Sequence, residues 1–198
     1  MGVFRIEVTG RTPPPEDAVA LIEVREAGLS ELEQLTSSRL FLIEGELSRA
    51  DAERVGRELL CDPVIETFDV LEAGQTVPPP SGGVALEIHP HPGVMDPVAD
   101  TTLAELRAAG LAVSSVRTAR RFVLGVRASA EAALAMAGKA LSNASIEQVH
   151  LGTAGITPAP SPPQSSNALR TIALAGLDDE SLAQLSRAGH LFLSLDEM

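Results

Sequence analysis

Apolar and polar positions alternate at the start of the chain, with Phe4, Ile6 and Val8 set against Arg5, Glu7 and Thr9. That period of two predicts a half-buried strand. The run Thr12-Pro13-Pro14-Pro15-Glu16-Asp17 breaks it, and prolines followed by acids predict a helix start. Leu21 and Val24 then recur at helical spacing, and Gly28 is placed to cap the helix end. Leu32 to Leu35 and Leu40 to Ile43 flank Thr36-Ser37-Ser38, which predicts a hairpin. Ser48 with Asp51 three residues on predicts the cap of a second helix carrying Ala52, Val55 and Leu59. It stops near Cys61-Asp62-Pro63, because proline disfavours helix at the preceding residue. Val64 to Val70 closes the unit as a strand, giving the order β-α-β-β-α-β.

The same order follows once more. Its predicted strands lie near Val84 to His89, Ala112 to Val116, Arg121 to Leu124 and Ile146 to Leu151, with helices near Val98 to Ala109 and Ser129 to Leu141. At an offset of 82, Leu21 falls on Leu103, Glu23 on Glu105, Arg25 on Arg107, and Ala27-Gly28-Leu29 on Ala109-Gly110-Leu111. Thr36, Arg39 and Leu42 fall on Thr118, Arg121 and Leu124, making nine identities across positions 17–43. Ordinary composition gives roughly two by chance. The register continues with Ser48, Ala52, Val55 and Leu59 on Ala130, Leu134, Ala137 and Leu141, then slips by one so that Ile65-Glu66 matches Ile146-Glu147. The expected architecture is a tandem duplication of class α+β. Repeat 1 is residues 1–72, a linker 73–83, repeat 2 residues 84–153, a Pro/Ser-rich linker 154–167, and a C-terminal segment 168–198. Leu40-Phe41-Leu42-Ile43 and Phe122-Val123-Leu124 do not alternate, which predicts strands buried on both faces. A unit of this size seldom stands alone, so the two ferredoxin-like sheets are expected to cover each other as a pseudo-dimer. In the last segment, Asp178 to Arg187 predicts a short helix capped by Gly189, Leu191 to Leu195 an apolar strand-like piece, and Ser194 to Glu197 a capping box. A box with no helix behind it leads to the expectation that the chain is part of a longer protein.

Hydrophobic residues make up 44% of the 198 but aromatics only 3%, so the core is aliphatic and aromatic platforms for single-stranded nucleic acid are not expected. A net charge of -12 argues against a polyanionic partner. The charge is uneven: residues 1–75 carry 7 Arg and 16 acids, while residues 84–152 carry 6 bases and 6 acids. The halves are therefore expected to face different surroundings, one solvent and the other a protein partner. A single cysteine excludes a disulfide framework within the chain. Neither a leader pattern nor a membrane-length apolar run is present, which gives the expectation of a soluble cytoplasmic protein with no membrane partner.

Candidate chemistry is sparse. His89-Pro90-His91 lacks a third ligand nearby and reads as a strand running into a turn rather than a metal site. Cys61 sits at a helix end without a neighbouring histidine and reads as an inert thiol. His150 and His190 read as solvated. Gly152-Thr153-Ala154-Gly155 is followed by no Gly-Lys-Ser/Thr, and Pro158 forbids an immediate helix, which sets phosphate binding aside. Asp178-Asp179-Glu180 complements a helix dipole. Arg117, Arg120 and Arg121 read as a solvated turn or as a contact for an acidic partner surface. No nucleophile, base and orienting group assemble, so no catalytic, cofactor-binding or metal-binding residue is assigned, and no cofactor is expected.

The second repeat resembles the small (PurS) subunit of phosphoribosylformylglycinamidine synthase. The resemblance rests on Asp96-Pro97, Leu103, Gly110-Leu111, Val116-Arg117, Arg121 to Leu124, and Leu141 to Glu147. Ser145 stands where that family has proline, and Pro14-Pro15 replaces the Asp-Pro in the first repeat. Leu193, Leu195, Glu197 and Met198 resemble the opening of the linker in the large synthetase polypeptide. The resemblance implies a non-catalytic part of an ATP- and glutamine-dependent ligase of purine biosynthesis. It implies the synthetase and glutaminase parts as partners, with self-association possible. The alternative from another class is a tandem ACT-type amino-acid-sensing module, for which Pro92-Gly93-Val94 would supply the ligand loop in the second repeat.

Overall fold

The computed structural model describes residues 2–72, 75, 83–125, 129–152 and 174–198. The chain divides into two compact units, Met1–Pro160 and Ser161–Met198.

The first unit is built on one antiparallel sheet of six strands in the order β3-β1-β2-β5-β4-β6. The strands are β1 (Gly2–Gly10), β2 (Gln34–Gly45), β3 (Glu66–Glu72), β4 (Val84–Pro90), β5 (Val113–Gly125) and β6 (Glu147–Leu151). Between them lie α1 (Pro15–Glu26), α2 (Arg49–Val55), which runs on as a π turn over Gly56–Leu60, α3 (Pro97–Ala108) and α4 (Ala130–Leu141). The mixed α+β class and both pairs of helices agree with expectation, and Gly28 and Gly110, at φ +123° and +80°, end α1 and α3. A left-handed residue after a helix favours glycine because a Cβ is penalised there.

Two expectations are overturned. The hairpins predicted at Thr36-Ser37-Ser38 and between Val116 and Arg121 do not form; each segment stays extended within a single long strand, β2 or β5. A tight hairpin needs positive φ in its turn, supplied by Gly, Asn or Asp, and neither segment has one. The predicted face-to-face packing of two sheets is also absent. The halves join edge to edge through β2 and β5, paired from Gln34↔Gly125 to Gly45↔Val113.

That pairing places Arg39 opposite Arg120. The same register puts Phe4, Ile6, Val8, Phe41 and Ile43 on one side of the sheet with Val116, Phe122, Leu124, Leu86 and Ile88. All four helices pack on this side, in two cores. One joins α2 to α3 over Phe4, Ile6, Phe41 and Val116, and the other joins α1 to α4 over Leu35, Leu86, Phe122 and Leu124. Each core therefore takes one helix from each half of the unit.

The other side of the sheet carries Leu40 and Leu42, both buried, and a set of charges. Arg5 Nη1 approaches Glu87 Oε1 at 2.6 Å, and Glu7 Oε2 lies 3.0 Å from Arg5 and 3.4 Å from Arg121. The 2.6 Å approach lacks hydrogen-bond alignment, so charge holds it. Arg5 is on β1 and Glu87 on β4, with β2 and β5 between. Three strand spacings measure about 14 Å in a flat sheet, and Arg5 and Glu87 are also offset along the strands. Their contact requires the sheet to curl around this side. The doubly apolar central strands are thus explained by helices on one side and a concave, charge-bearing interior on the other.

In the second unit, α5 (Asp179–Ala188) is capped by Asp178, whose carboxylate accepts the Ser181 amide at 2.9 Å. Leu191 to Leu195 is not a strand, because His190 and Phe192 adopt φ of 52° and 54°. The chain instead folds back on α5, where buried Ser186 both accepts from the Leu193 amide (2.9 Å) and donates to its carbonyl (3.0 Å). The expected capping box forms at Ser194 and Glu197 and serves a single 3-10 turn, Leu195–Glu197.

Candidate functional site

Between the two cores, the helix side of the sheet has a groove centred on Arg39 and Arg120. Each guanidinium is fixed in the same way. Arg39 Nη2 donates to Glu66 Oε1 at 2.7 Å and to the Leu60 carbonyl at 3.2 Å; Arg120 Nη2 donates to Glu147 Oε1 at 2.7 Å and to the Leu141 carbonyl at 3.2 Å. Leu60 and Leu141 end helical segments, so each arginine also satisfies a helix-end carbonyl. The guanidinium carbons stand 5.9 and 5.8 Å from the rings of Phe41 and Phe122. The second oxygen of each glutamate accepts a backbone amide, from Asp62 at 2.9 Å and from Asn143 at 2.8 Å. About half of each arginine side chain remains exposed.

The walls are set by two aspartates. Asp17, buried inside the first turn of α1, accepts the Ser37 amide at 3.0 Å and a short hydrogen bond from the Ser37 hydroxyl. Asp96, the N-cap of α3, accepts the Ala99 amide at 3.0 Å and both the amide (3.0 Å) and hydroxyl (2.8 Å) of Thr118. Each aspartate ties a helix start to the middle of a long strand. Two cavities result, of about 870 and 370 Å³, and Arg39 and Arg120 line both.

An offset of 81 relates Arg39 to Arg120, Phe41 to Phe122, Leu60 to Leu141 and Glu66 to Glu147. The sequence comparison had set Arg39 on Arg121 at 82. The one-residue change falls in the loop after the first helix of each half, not after the second helix. In a strand such a slip moves every side chain to the opposite side, which hid the pairing of Arg39 with Arg120. The signal was present as Arg-x-Phe in both halves, each followed later by Ile-Glu.

The other candidates are placed as follows. Arg117, Arg120 and Arg121 do not form a solvated turn, since they lie within β5. Arg120 faces the groove, Arg121 is 1% exposed beside Glu7 on the concave side, and burial lowers the pKa of Arg117. His89 Nε2 is 3.1 Å from Glu87, and its ring meets that of His150 edge-on at 5.2 Å. His150 is therefore only partly solvated: burial, and then the neighbouring His89, lower its pKa. His91 turns away to the Ala144 carbonyl at 3.3 Å. Burial, and then Glu66, raise the pKa of Cys61, which disfavours the reactive thiolate. His190 is exposed, Asp178 is a helix cap, and Thr153 to Gly155 of the glycine-rich loop lie outside the described residues, as does 157–167. Among the described residues no three metal-ligating side chains converge, and no helix is long and apolar enough to cross a membrane. The groove has two ion-paired guanidiniums on its floor, with Glu16, Glu23 and apolar side chains along the walls.

The family model PurS, described as phosphoribosylformylglycinamidine (FGAM) synthase, matches residues 83–154. This part of the chain is PurS-like. No curated protein matches the chain.

Proposed function

We propose that this chain is a non-catalytic structural part of phosphoribosylformylglycinamidine synthase, in which two PurS-like copies form a pseudo-dimer that holds the synthetase and glutaminase parts in register. The observation that carries the reading is the family match over residues 83–154. The extension to the first half is supported by its clamp of Arg39, Glu66 and the Leu60 carbonyl, which repeats that of Arg120, Glu147 and the Leu141 carbonyl. The antiparallel pairing of Arg39 with Arg120 is the arrangement that two equivalent copies related by a twofold would give. In this reading the chain acts in the cytoplasm, and residues 168–198 connect it to the synthetase.

The test is reconstitution. The purified chain, mixed with synthetase and glutaminase components lacking their own PurS-like part, should co-elute with both and restore glutamine-dependent amidine formation. Alone it should turn over neither ATP nor glutamine. Failure to associate with either component overturns the reading, as does ATP or glutamine turnover by the chain that a point mutation within it abolishes.

A further inference from the structure

The sheet ends in two edge strands, β3 and β6, whose outer sides are closed differently. In β3 the Arg11 amide donates to the Ile65 carbonyl, so the backbone groups of Ile65, Thr67, Asp69 and Leu71 face β1. Those of Glu66, Phe68, Val70 and Glu72 face outward, and several are taken. Arg49 Nη2 donates to the Val70 carbonyl at 3.3 Å, and the Glu72 amide donates to Gln75 Oε1 at 2.9 Å. The Gln75 amide in turn donates to the Glu72 carbonyl at 3.0 Å. In β6 the His91 amide donates to the Ile146 carbonyl and the Gly152 amide to the Ala85 carbonyl. Val149 and Leu151 therefore turn their amides and carbonyls outward, where no hydrogen-bond partner meets them among the described residues. Ser48 and Ser129 cap α2 and α4 at the offset of 81, which sets Ala130 where α2 has Arg49. Alanine has no donor to reach the strand. We propose that β6 is an interaction edge that pairs antiparallel with β6 of a second copy of this chain, around a twofold axis at Val149.

A row of outward amides and carbonyls calls for another strand, since extended backbone repeats both groups at the same spacing. β6 is complementary to itself. With Val149 on the axis, the two Val149 residues exchange both backbone bonds, and each Leu151 amide meets the Glu147 carbonyl of the other copy. The Glu147 amide already donates to the Asn143 carbonyl at 2.8 Å and needs no partner. Like charges do not come opposite each other, because Glu147, the only acid of β6, faces Leu151 and keeps its carboxylate on Arg120. The pairing also covers Leu151, which is 47% exposed. β3 is unsuited to the same use, with Arg49 and Gln75 on its outward groups and Glu66, Asp69 and Glu72 along its length. With one edge guarded and the other open, association closes at a pair and does not run on as a filament. The inference does not depend on the identity of the assembly proposed above.

The test is sedimentation velocity of the full-length chain over a concentration series, with hydrogen exchange read at Val149 and Leu151. The expected result is a reversible monomer–dimer equilibrium in which both amides gain protection as concentration rises. Val149→Pro removes an outward amide and leaves the ladder to β4 intact. Ala130→Arg supplies the guard that β3 has. Each should raise the dimer dissociation constant about tenfold or more. Ala130 is exposed, so Ala130→Arg keeps its fold, and an unchanged melting temperature of the dilute chain checks it. Arg49→Ala, at the other edge, should keep the dimer. A chain that stays monomeric at every concentration would leave the edge to a strand of another protein and overturn the proposal. So would a dimer indifferent to both Val149→Pro and Ala130→Arg, or one that Arg49→Ala abolishes.

Discussion

The two halves of the sheet agree closely on the groove side and differ on the concave side. Around Arg39 and Arg120 the clamps match in their distances, 2.7 Å to the glutamate and 3.2 Å to the carbonyl. Even there the supports differ, since Asp96 is the N-cap of α3 while Asp17 reaches Ser37 from within α1, whose N-cap, Pro14, offers no side-chain bond. On the concave side the symmetry fails. Carried through the strand registers, the equivalence of Arg39 and Arg120 makes Ala85 of β4 the counterpart of Arg5 of β1, so the Arg5–Glu87 contact is not repeated. What is shared is what joins helix ends to strands; what differs is how each half neutralises the charge it buries.

The largest expected effect lies in that asymmetric contact. Both partners are fully buried, and removing Arg5 takes away the cation that stands between Glu87 and Glu7. Arg5→Leu should cost about 3–5 kcal/mol in urea unfolding. Arg5→Leu/Glu87→Leu should recover part of that loss, because an apolar pair needs no compensating charge. A loss below about 1 kcal/mol in the single variant would mean that the contact is not closed in solution.

Next comes the exchange of helices between cores. Leu106 of α3 is 1% exposed and packs in the core that holds α2 and β1. Leu106→Ala should cost about 2–5 kcal/mol. It should lower amide protection in β1 and α2 of the first half as well as in α3, within one unfolding transition. Two transitions, with only the second half affected, would show that the halves carry separate cores.

Smaller differences should sort the two aspartates. Asp96→Ala removes a helix cap together with two hydrogen bonds to Thr118, a loss of about 2 kcal/mol. Asp17→Ala removes only the ties to Ser37 and should cost less. Equal losses in thermal unfolding would show that the cap contributes nothing. The smallest effect is that of pH. The pKa of His150 is lowered in the fold from an ordinary value of 6.5. The unfolded chain therefore binds its proton more readily, and stability present above pH 6.5 is lost as pH falls through the folded pKa. His150→Gln should flatten that part of the pH-stability curve, which urea unfolding at a series of pH values reads directly.

Much of the order of elements was legible without coordinates. The alternation at Phe4, Ile6 and Val8, the caps at Ser48 and Asp178, and Gly28 and Gly110 at the helix ends are local signals. Each depends on a few neighbouring residues, so the sequence alone determined it. The resemblance of the second half to the PurS family was likewise legible in residues 96–147, within the 83–154 that the family model matches. The groove was not. Its floor depends on an offset of 81 rather than 82, and a loop that absorbs one residue leaves no local mark until strand pairing fixes which side each residue faces. The apolar pattern did not distinguish a hairpin within one half from a straight strand paired with the other, because either buries Leu40 to Ile43; only the missing turn residues spoke against the hairpin. Tertiary structure decided in favour of the straight strand. Thr36-Ser37-Ser38 lacks the residues for a tight turn, and the open edge of β2 finds its hydrogen-bond partners along β5.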